Sequence, residues 1–542
     1  MRRVVVVGNG MVGSRFVAEL VRRDPGVSVT VLGAEEYEPY NRVLLSEVVA
    51  GAVEMASLAL PRPPVGGVRV RAGAQVTSID RERRQVVTAD GEVVDYDALV
   101  LATGARAVAP PTPGLLRADS PARGATHAHG DMPAGPALVV GAHALRTLDD
   151  AREIVAATLN ARDAVVVGAG VLGVEVACGL ARRGLRVTVV HRGPGLMDRQ
   201  LDVPAAEALG HGLDLLGVRW RVGAEVASVL AADGRLRGVV LSDGEALAAD
   251  LLVLAVGTAP ETDLARGCGL AVDRGIVVDS HCGTSDPRVH AIGDCAQPPG
   301  GGHGLLAQGW DQARRLAERL VADTDTDGRA PRADDGGRAD ADGGGQDPGA
   351  TVDVVRVKAQ GLDVVSMGVS GAGARQTPGL RAVRLSDPAT GRHVEVVVGG
   401  GVVVGATCVG AGPVAADLVS AYTRRTPVPA DPAHLLLRPA RGAAADEAAS
   451  PLLMPDRATV CRCNGVTKGD LVASWRGGAR TVADVARDTR ATSGCGGCRD
   501  AVCGLLEWLE RSDPQDPAPG RPVSQDQGAA ASVQTGTSRP DG

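Results

Sequence analysis

Val4-Val5-Val6-Val7-Gly8-Asn9-Gly10-Met11-Val12-Gly13 opens the chain with four consecutive valines and three spaced glycines. An apolar run without alternation suits a strand buried on both faces of a parallel sheet. The glycines then have separate duties. Gly8 permits a tight strand-to-helix turn, Gly10 lets backbone approach a pyrophosphate, and Gly13 lets helix and strand pack closely. The helix that follows offers unpaired N–H groups and a positive dipole end to phosphates. Residues 27–32 form the next Val-rich strand, so the segment reads as a βαβ unit. It ends in Gly33-Ala34-Glu35-Glu36, and Glu35, 22 residues after Gly13, is the expected acid for a ribose hydroxyl.

The pattern recurs. Residues 164–167 run into Gly168-Ala169-Gly170-Val171-Leu172-Gly173, with Glu175 on the helix beyond and a second strand at 186–190. That strand ends Val189-Val190-His191-Arg192, so no acid stands at the ribose position. One GxGxxG is weak. Two in series, each between a Val-rich strand and a helix, predict an α/β chain with two Rossmann-like units and two dinucleotides.

Further motifs follow in order. They are Gln75-Val76, Leu99-Val100-Leu101-Ala102-Thr103-Gly104, Leu252-Val253-Leu254-Ala255-Val256-Gly257 and Val289-His290-Ala291-Ile292-Gly293-Asp294. In that order they resemble the two-dinucleotide-binding-domain flavoproteins, the pyridine-nucleotide:flavin reductases, over residues 1–320. The resemblance implies that Gly8, Gly10, Gly13, Glu35, Val76, Thr103, Gly104 and Asp294 bind FAD, with Asp294 on the ribityl chain. It also implies that Gly168, Gly170, Gly173, Glu175 and Gly257 bind NAD(P)H in a domain inserted within the FAD domain.

Two stretches carry a narrower resemblance, Pro39-Tyr40-Asn41-Arg42-Val43-Leu44-Leu45-Ser46 and Met197-Asp198-Arg199-Gln200-Leu201-Asp202. They are similar to the NAD(P)H-nitrite reductase large subunit and to assimilatory nitrate reductase electron-transfer subunits. That family places the first stretch beside the isoalloxazine, which adds Tyr40 and Arg42 to the FAD set. Arg42 would donate to the ring and stabilise negative charge on reduced flavin. Taken alone, Arg42 reads equally as a surface cation and Tyr40 as a core ring.

The ten cysteines are unevenly spread. Cys178, Cys268, Cys282, Cys295 and Cys408 stand apart, and residues 42–51 hold none. No redox pair of the disulfide-reductase kind is expected, and the first four read as buried small hydrophobes. Cys461-Arg462-Cys463 is separated by 31 residues from Cys495-Gly496-Gly497-Cys498. Four soft thiolates suit zinc or an iron–sulfur cluster. The surrounding sequence resembles the small helical bacterioferritin-associated-ferredoxin-like domain, which implies that Cys461, Cys463, Cys495 and Cys498 hold a [2Fe–2S] cluster. Cys503 reads as packing.

A chain of 542 residues implies three or four domains. The expected divisions are FAD-binding at 1–115, NAD(P)H-binding at 116–280, FAD-binding again at 281–321, and an acidic linker at 322–350. A small α+β domain at 351–425, a helical [2Fe–2S] domain at 455–510 and a polar tail at 511–542 follow. The middle domain resembles the C-terminal domain of rubredoxin-reductase-like flavoproteins, so it is expected to pack on the flavin domain or mediate a homodimer. With a single Phe, the cores must be built from Val, Leu and Ala. A net charge of −7 with scattered bases argues against nucleic acid or anionic membrane as partner. The opening apolar run of four is too short for a signal core or a span, so a cytoplasmic protein is expected.

The resemblance implies a relay from NADH or NADPH to FAD, then to the cluster, then to a partner. The partner expected is a molybdenum nitrate reductase or a sirohaem nitrite reductase subunit. His191 gives no acid to favour NADH and Arg192 suits a 2′-phosphate; the family resemblance favours NADH. Beyond Cys503 no further cysteine pairs occur, so nitrite reduction by this chain alone is not expected. Two other readings are a ferredoxin- or rubredoxin-type reductase with a built-in cluster, and a non-enzymatic redox sensor.

Overall fold

In the computed structural model the two Val-rich runs are the central strands of two separate parallel sheets. The structure describes residues 2–60, 67–117, 138–301, 304–325, 354–387, 389–436, 454–461, 464–492 and 498–512. The first sheet runs in the order Val289–Ala291, Ala98–Leu101, Arg3–Val7, Ser28–Leu32, Val68–Arg71. The second runs Arg219–Val222, Arg186–His191, Asp163–Val167, Leu251–Leu254, Ala142–Ala144. Val4 to Val7 and Ala164 to Val166 are buried, as a strand covered on both faces must be. In each sheet the strand order reverses beside the central strand, which opens a crevice at the carboxyl ends.

The units share one register. Val7 pairs with Leu32 and Val167 with Val190. The Gly8 N–H donates to the Leu32 carbonyl and the Gly168 N–H to the Val190 carbonyl, both at 2.8 Å.

The second unit is an insertion. The chain leaves through Ala105–Ala107 and returns through Thr258–Pro260, and these two strands pair antiparallel with each other. The return comes earlier than the expected boundary at 280. Ala265, Leu270, Ile276 and Val278 pack in one cluster with Val5, Val7 and Leu99, so this stretch buries its apolar side chains on the first sheet. The helix Leu306–Asp325 then covers Met11–Arg23, with Ala313, Leu316 and Leu320 against Phe16, Val17 and Leu20. That helix runs past 322. The rest of the expected linker and almost all of the expected tail lie outside the described residues.

Alternating runs such as His393-Val394-Glu395-Val396-Val397-Val398 predict an antiparallel sheet after residue 351, and the third body is antiparallel. Its order is Val354–Arg356, Val364–Gly368, Val402–Val409, Arg392–Gly399, Arg381–Asp387, covered by the helix Gly412–Arg424. It docks on the inserted unit rather than on the flavin sheet. Leu362, Val364 and Val409 share a core with Ala205, Leu209 and Leu213 of the helix Val203–Leu215. The last body holds the helices Lys468–Arg476, Val482–Thr489 and Arg499–Ser512 around Leu471, Trp475, Val485 and Leu505. Thr467 with Asp470 and Thr481 with Asp484 form capping boxes that set the first two helix starts. Among the described residues no helix is long and apolar enough to cross a membrane.

One buried group makes the fold sensitive to acid. His290, 2% exposed, lies in the edge strand of the first sheet. Burial, then the charges of Arg319 and Arg2, push its pKa down to about 4. An unfolded imidazole titrates near pH 6.5. The native state therefore favours the neutral ring, and its contribution is complete above pH 6.5 and lost as pH falls toward 4. A shift of this size corresponds to about 3 kcal/mol. Urea midpoints are expected to fall over that window in the native protein, and the slope to flatten in His290→Gln.

Candidate functional site

A cavity of about 2560 Å³ lies where the bodies meet. It exceeds the roughly 300–1,000 Å³ of ordinary ligand pockets. The first fingerprint lines it through Gly8, Asn9 and Gly10, the second helix through Val171, Leu172 and Glu175, and the third body through Lys358.

Of the residues expected to serve FAD, Glu35, Tyr40, Arg42, Val76, Thr103, Gly104 and Asp294 also line this cavity. Gly13 stands behind it, where an added Cβ would lie 2.3 Å from the Gly8 carbonyl oxygen. The Tyr40 hydroxyl donates to Glu35 at 2.7 Å, and Arg42 forms an ion pair with the same carboxylate. The Arg42 guanidinium lies 4.8 Å from the Tyr40 ring centroid. Tyr40 is thus a core ring, 5% exposed, with its hydroxyl engaged in the site. Burial, outweighing the opposing charge of Arg42 and joined by Glu35, raises its phenol pKa, so it stays a donor. The Thr103 hydroxyl donates to the Glu261 carbonyl at 3.0 Å, fastening the strand end to the returning chain.

Arg146 carries no motif, yet it donates to Asp294 at 2.7 Å and to the Ala105 carbonyl at 2.9 Å, and its own carbonyl accepts from Arg42. Asn9 stands between the first two glycines of the fingerprint. Its amide nitrogen is buried at the glycine turn with no partner among the described residues, which suits a phosphate acceptor there.

The second fingerprint repeats the turn. Gly168 has φ +107, and a Cβ on Gly173 would lie 1.9 Å from the Gly168 carbonyl oxygen. Nothing lies within 4 Å of a Cβ built on Gly170 or Gly257, so both face open space. Glu175 is buried, and its carboxylate accepts from the Ser46 hydroxyl and from both the N–H and the ammonium of Lys358. Sequence reading found no chemistry in the segment that holds Lys358. Only the docking of the third body brings that lysine to Glu175.

Cys178, Cys268, Cys282, Cys295 and Cys408 form no disulfide. Burial pushes the Cys178 and Cys408 thiols up to about 12 and Cys282 up to about 11, and it raises Cys268 and Cys295 as well. Thiolates, not thiols, react with alkylating agents. Iodoacetamide at pH 8 is therefore expected to leave these five unmodified in the folded protein and NADH–ferricyanide turnover unchanged. Peptide mapping that finds Cys178 or Cys282 fully alkylated without unfolding would contradict this.

Of the four proposed cluster ligands, Cys461 and Cys498 are buried in one core, while Cys463 and Cys495 lie outside the described residues. The Asn464 amide donates to the Cys461 sulfur at 3.8 Å, and its oxygen accepts from Arg15 of the first helix at 3.0 Å. Buried thiols with an N–H donor beside them fit a thiolate-ligated iron–sulfur centre.

Residues 2–317 match the model of the pyridine nucleotide-disulphide oxidoreductase family, and residues 459–508 match the BFD-like [2Fe-2S] binding domain. The chain is 33% identical over 514 residues to the nitrite reductase [NAD(P)H] large subunit of Klebsiella oxytoca, covering 93% of this chain and 49% of that one. It is 29% identical over 526 residues to the assimilatory nitrate reductase electron transfer subunit of Bacillus subtilis (strain 168), covering 95% and 61%. It thus spans about half the length of the curated relatives it matches. Among solved structures, the covalent putidaredoxin reductase–putidaredoxin complex aligns with a TM-score of 0.62 at 26% identity, covering 83% of this chain and 98% of that one. With the first match spanning more than half of its 542 residues, the chain belongs to the pyridine nucleotide-disulphide oxidoreductase family, here followed by a BFD-like [2Fe–2S] domain.

Proposed function

We propose that this protein takes electrons from NADH through FAD to a [2Fe–2S] cluster and delivers them to a nitrate or nitrite reductase in the cytoplasm. One observation carries the reading. A single cavity joins the first fingerprint to Glu175 of the second, and Arg15 of the helix leading from that fingerprint bonds Asn464 beside a cluster cysteine. FAD, when bound, takes the two electrons of one hydride and releases them singly.

The chain supplies the rest. Gly8, Gly10 and the Asn9 amide hold the flavin pyrophosphate. Glu35 keeps acceptor sites for a ribose hydroxyl, because a carboxylate offers about four and Tyr40 and Arg42 take two. Val76 meets the adenine, and Thr103 and Gly104 border the ring. Asp294, set by Arg146, would take the ribityl chain, and Arg42, held by Glu35 and the Arg146 carbonyl, would supply positive charge to the flavin. Gly168, Gly170, Gly173 and Gly257 seat NADH, with Glu175 beside the nicotinamide. Cys461, Cys463, Cys495 and Cys498 ligate the iron. The putidaredoxin reductase likeness favours, as a second reading, a small iron–sulfur protein as acceptor.

The test is a visible spectrum with iron and sulfide analysis, before and after anaerobic NADH. Flavin bands bleached by NADH and about two irons per chain are expected. Zinc in place of iron would end the outward half of the relay. NADH-dependent nitrate reduction on adding a purified molybdenum nitrate reductase would then separate the two acceptors.

A further inference from the structure

The second unit lacks an acid where the first has Glu35, and the shared register shows what stands there instead. Leu32 and Val190 are equivalent, since each pairs with the last valine of its central strand and accepts the fingerprint glycine N–H. Three residues on, Glu35 is equivalent to Gly193. The space in front of Gly193 is filled. An added Cβ would lie 2.0 Å from Asp198 Oδ2 and 2.5 Å from His191 Nε2.

The loop is built to put Asp198 there. Met197 is 1% exposed, has φ +50, and donates its N–H to the carbonyl of Ala169, inside the fingerprint, at 2.9 Å. The N–H groups of Gln200 and Leu201 close on the Met197 carbonyl at 2.8 and 2.9 Å. Asp198 follows at once, with Oδ2 3.3 Å from His191 Nε2 and its side chain 31% exposed. The carboxylate is thus held against the strand end yet open to a ligand.

We propose that Asp198 is the ribose-recognising acid of the second unit and that it selects NADH over NADPH. This rests on the reading that the second unit seats the nicotinamide dinucleotide. In dinucleotide folds the acid near the second strand end accepts from the adenosine ribose hydroxyls, whereas a 2′-phosphate needs a cation there. Here the carboxylate arrives from five residues beyond Gly193, and a glycine at 193 leaves it room. His191 orients it. Arg192 is exposed as well, but among the described residues no turn comparable to that at Met197 fixes its side chain at the strand end.

The experiment is calorimetric titration of flavin-loaded full-length protein with NAD+ and NADP+, alongside KM and kcat for NADH and NADPH. The unaltered protein is expected to prefer NAD+. Asp198→Asn should weaken NAD+ roughly tenfold, the size of a lost charge-assisted hydrogen bond, and raise KM for NADH with kcat retained. Combining Asp198→Ala and His191→Ala, which clear both atoms crowding a Cβ at 193, with Gly193→Glu moves the acid to the position equivalent to Glu35 and should restore the NAD+ preference. A purely structural role for Asp198 would not give that rescue. Matching flavin spectra and thermal midpoints identify variants that fold. Unchanged NAD+ affinity in Asp198→Asn, or an NADP+ preference in the unaltered protein, overturns the assignment of Asp198 alone. Binding of neither nucleotide overturns the reading of the second unit as well.

Discussion

Replacing Lys358 by methionine is expected to cost about 3 kcal/mol of stability, the low end for breaking a buried ion pair. The Lys358 ammonium lies 2.9 Å from Glu175 Oε1, and its backbone N–H donates to the same oxygen at 2.8 Å. The Glu175 side chain is 2% exposed and that of Lys358 20%. Methionine keeps the apolar stem but leaves the buried carboxylate with two neutral donors, the Ser46 hydroxyl and the residue 358 N–H, and no countercharge. The cost should be recovered largely by adding Glu175→Gln, because the pair then carries no net charge to bury. Urea unfolding of the four proteins measures it. A loss below about 0.5 kcal/mol in the single variant would mean that the pair is solvated like a surface one. The same substitution should raise KM for NADH, since Glu175 borders the cavity from the second fingerprint's helix.

Gly168→Ala is expected to be at least as severe. Gly168 has φ +107, a conformation that alanine adopts only under strain, and its Cβ would stand 2.4 Å from the Ala255 carbonyl oxygen. Both partners are backbone one residue past the paired strands Asp163–Val167 and Leu251–Leu254, pinned there by the Gly168 N–H to Val190 and Ala255 N–H to Val167 bonds at 2.8 Å, so neither can yield without breaking one of them. Strain and overpacking together amount to roughly 2–6 kcal/mol. The first unit has its own turn at Gly8, so flavin should remain bound while NAD+ binding is lost. Gly170→Ala is the control, with nothing within 4 Å of its Cβ. It should fold normally and lose nucleotide affinity only. Flavin content, thermal midpoint and NAD+ calorimetry distinguish the three outcomes.

What the sequence disclosed was what local chemistry dictates. Continuous valine runs become central parallel strands because only burial on both faces favours them, and Gly8 and Gly168 are required by φ values that no neighbour supplies. The alternating runs after residue 351 gave an antiparallel sheet for the same kind of reason. Hidden were groups whose meaning comes from distant chain. Lys358 meets Glu175 across 183 positions and Arg146 meets Asp294 across 148. Asp198 was visible within a family-like stretch, but its carboxylate acquires a role only when the Met197 turn folds it over Gly193. The boundary expected at 280 failed because residues 263–280 have no motif, and their place is set by which sheet offers an apolar face.

The antiparallel ribbon of Ala105–Ala107 and Thr258–Pro260 has a consequence for how such a chain is assembled. Closing a long loop ordinarily costs entropy that grows with the logarithm of its length. An insert whose two ends already lie side by side presents its host with almost no loop to close. A whole nucleotide-binding unit, in register with the host's own, therefore joins the parent chain through one ribbon without interrupting the parent sheet. A replacement cassette of the same footprint would have to supply, besides the ribbon, a partner for Ser46 and the apolar face on which the third body docks.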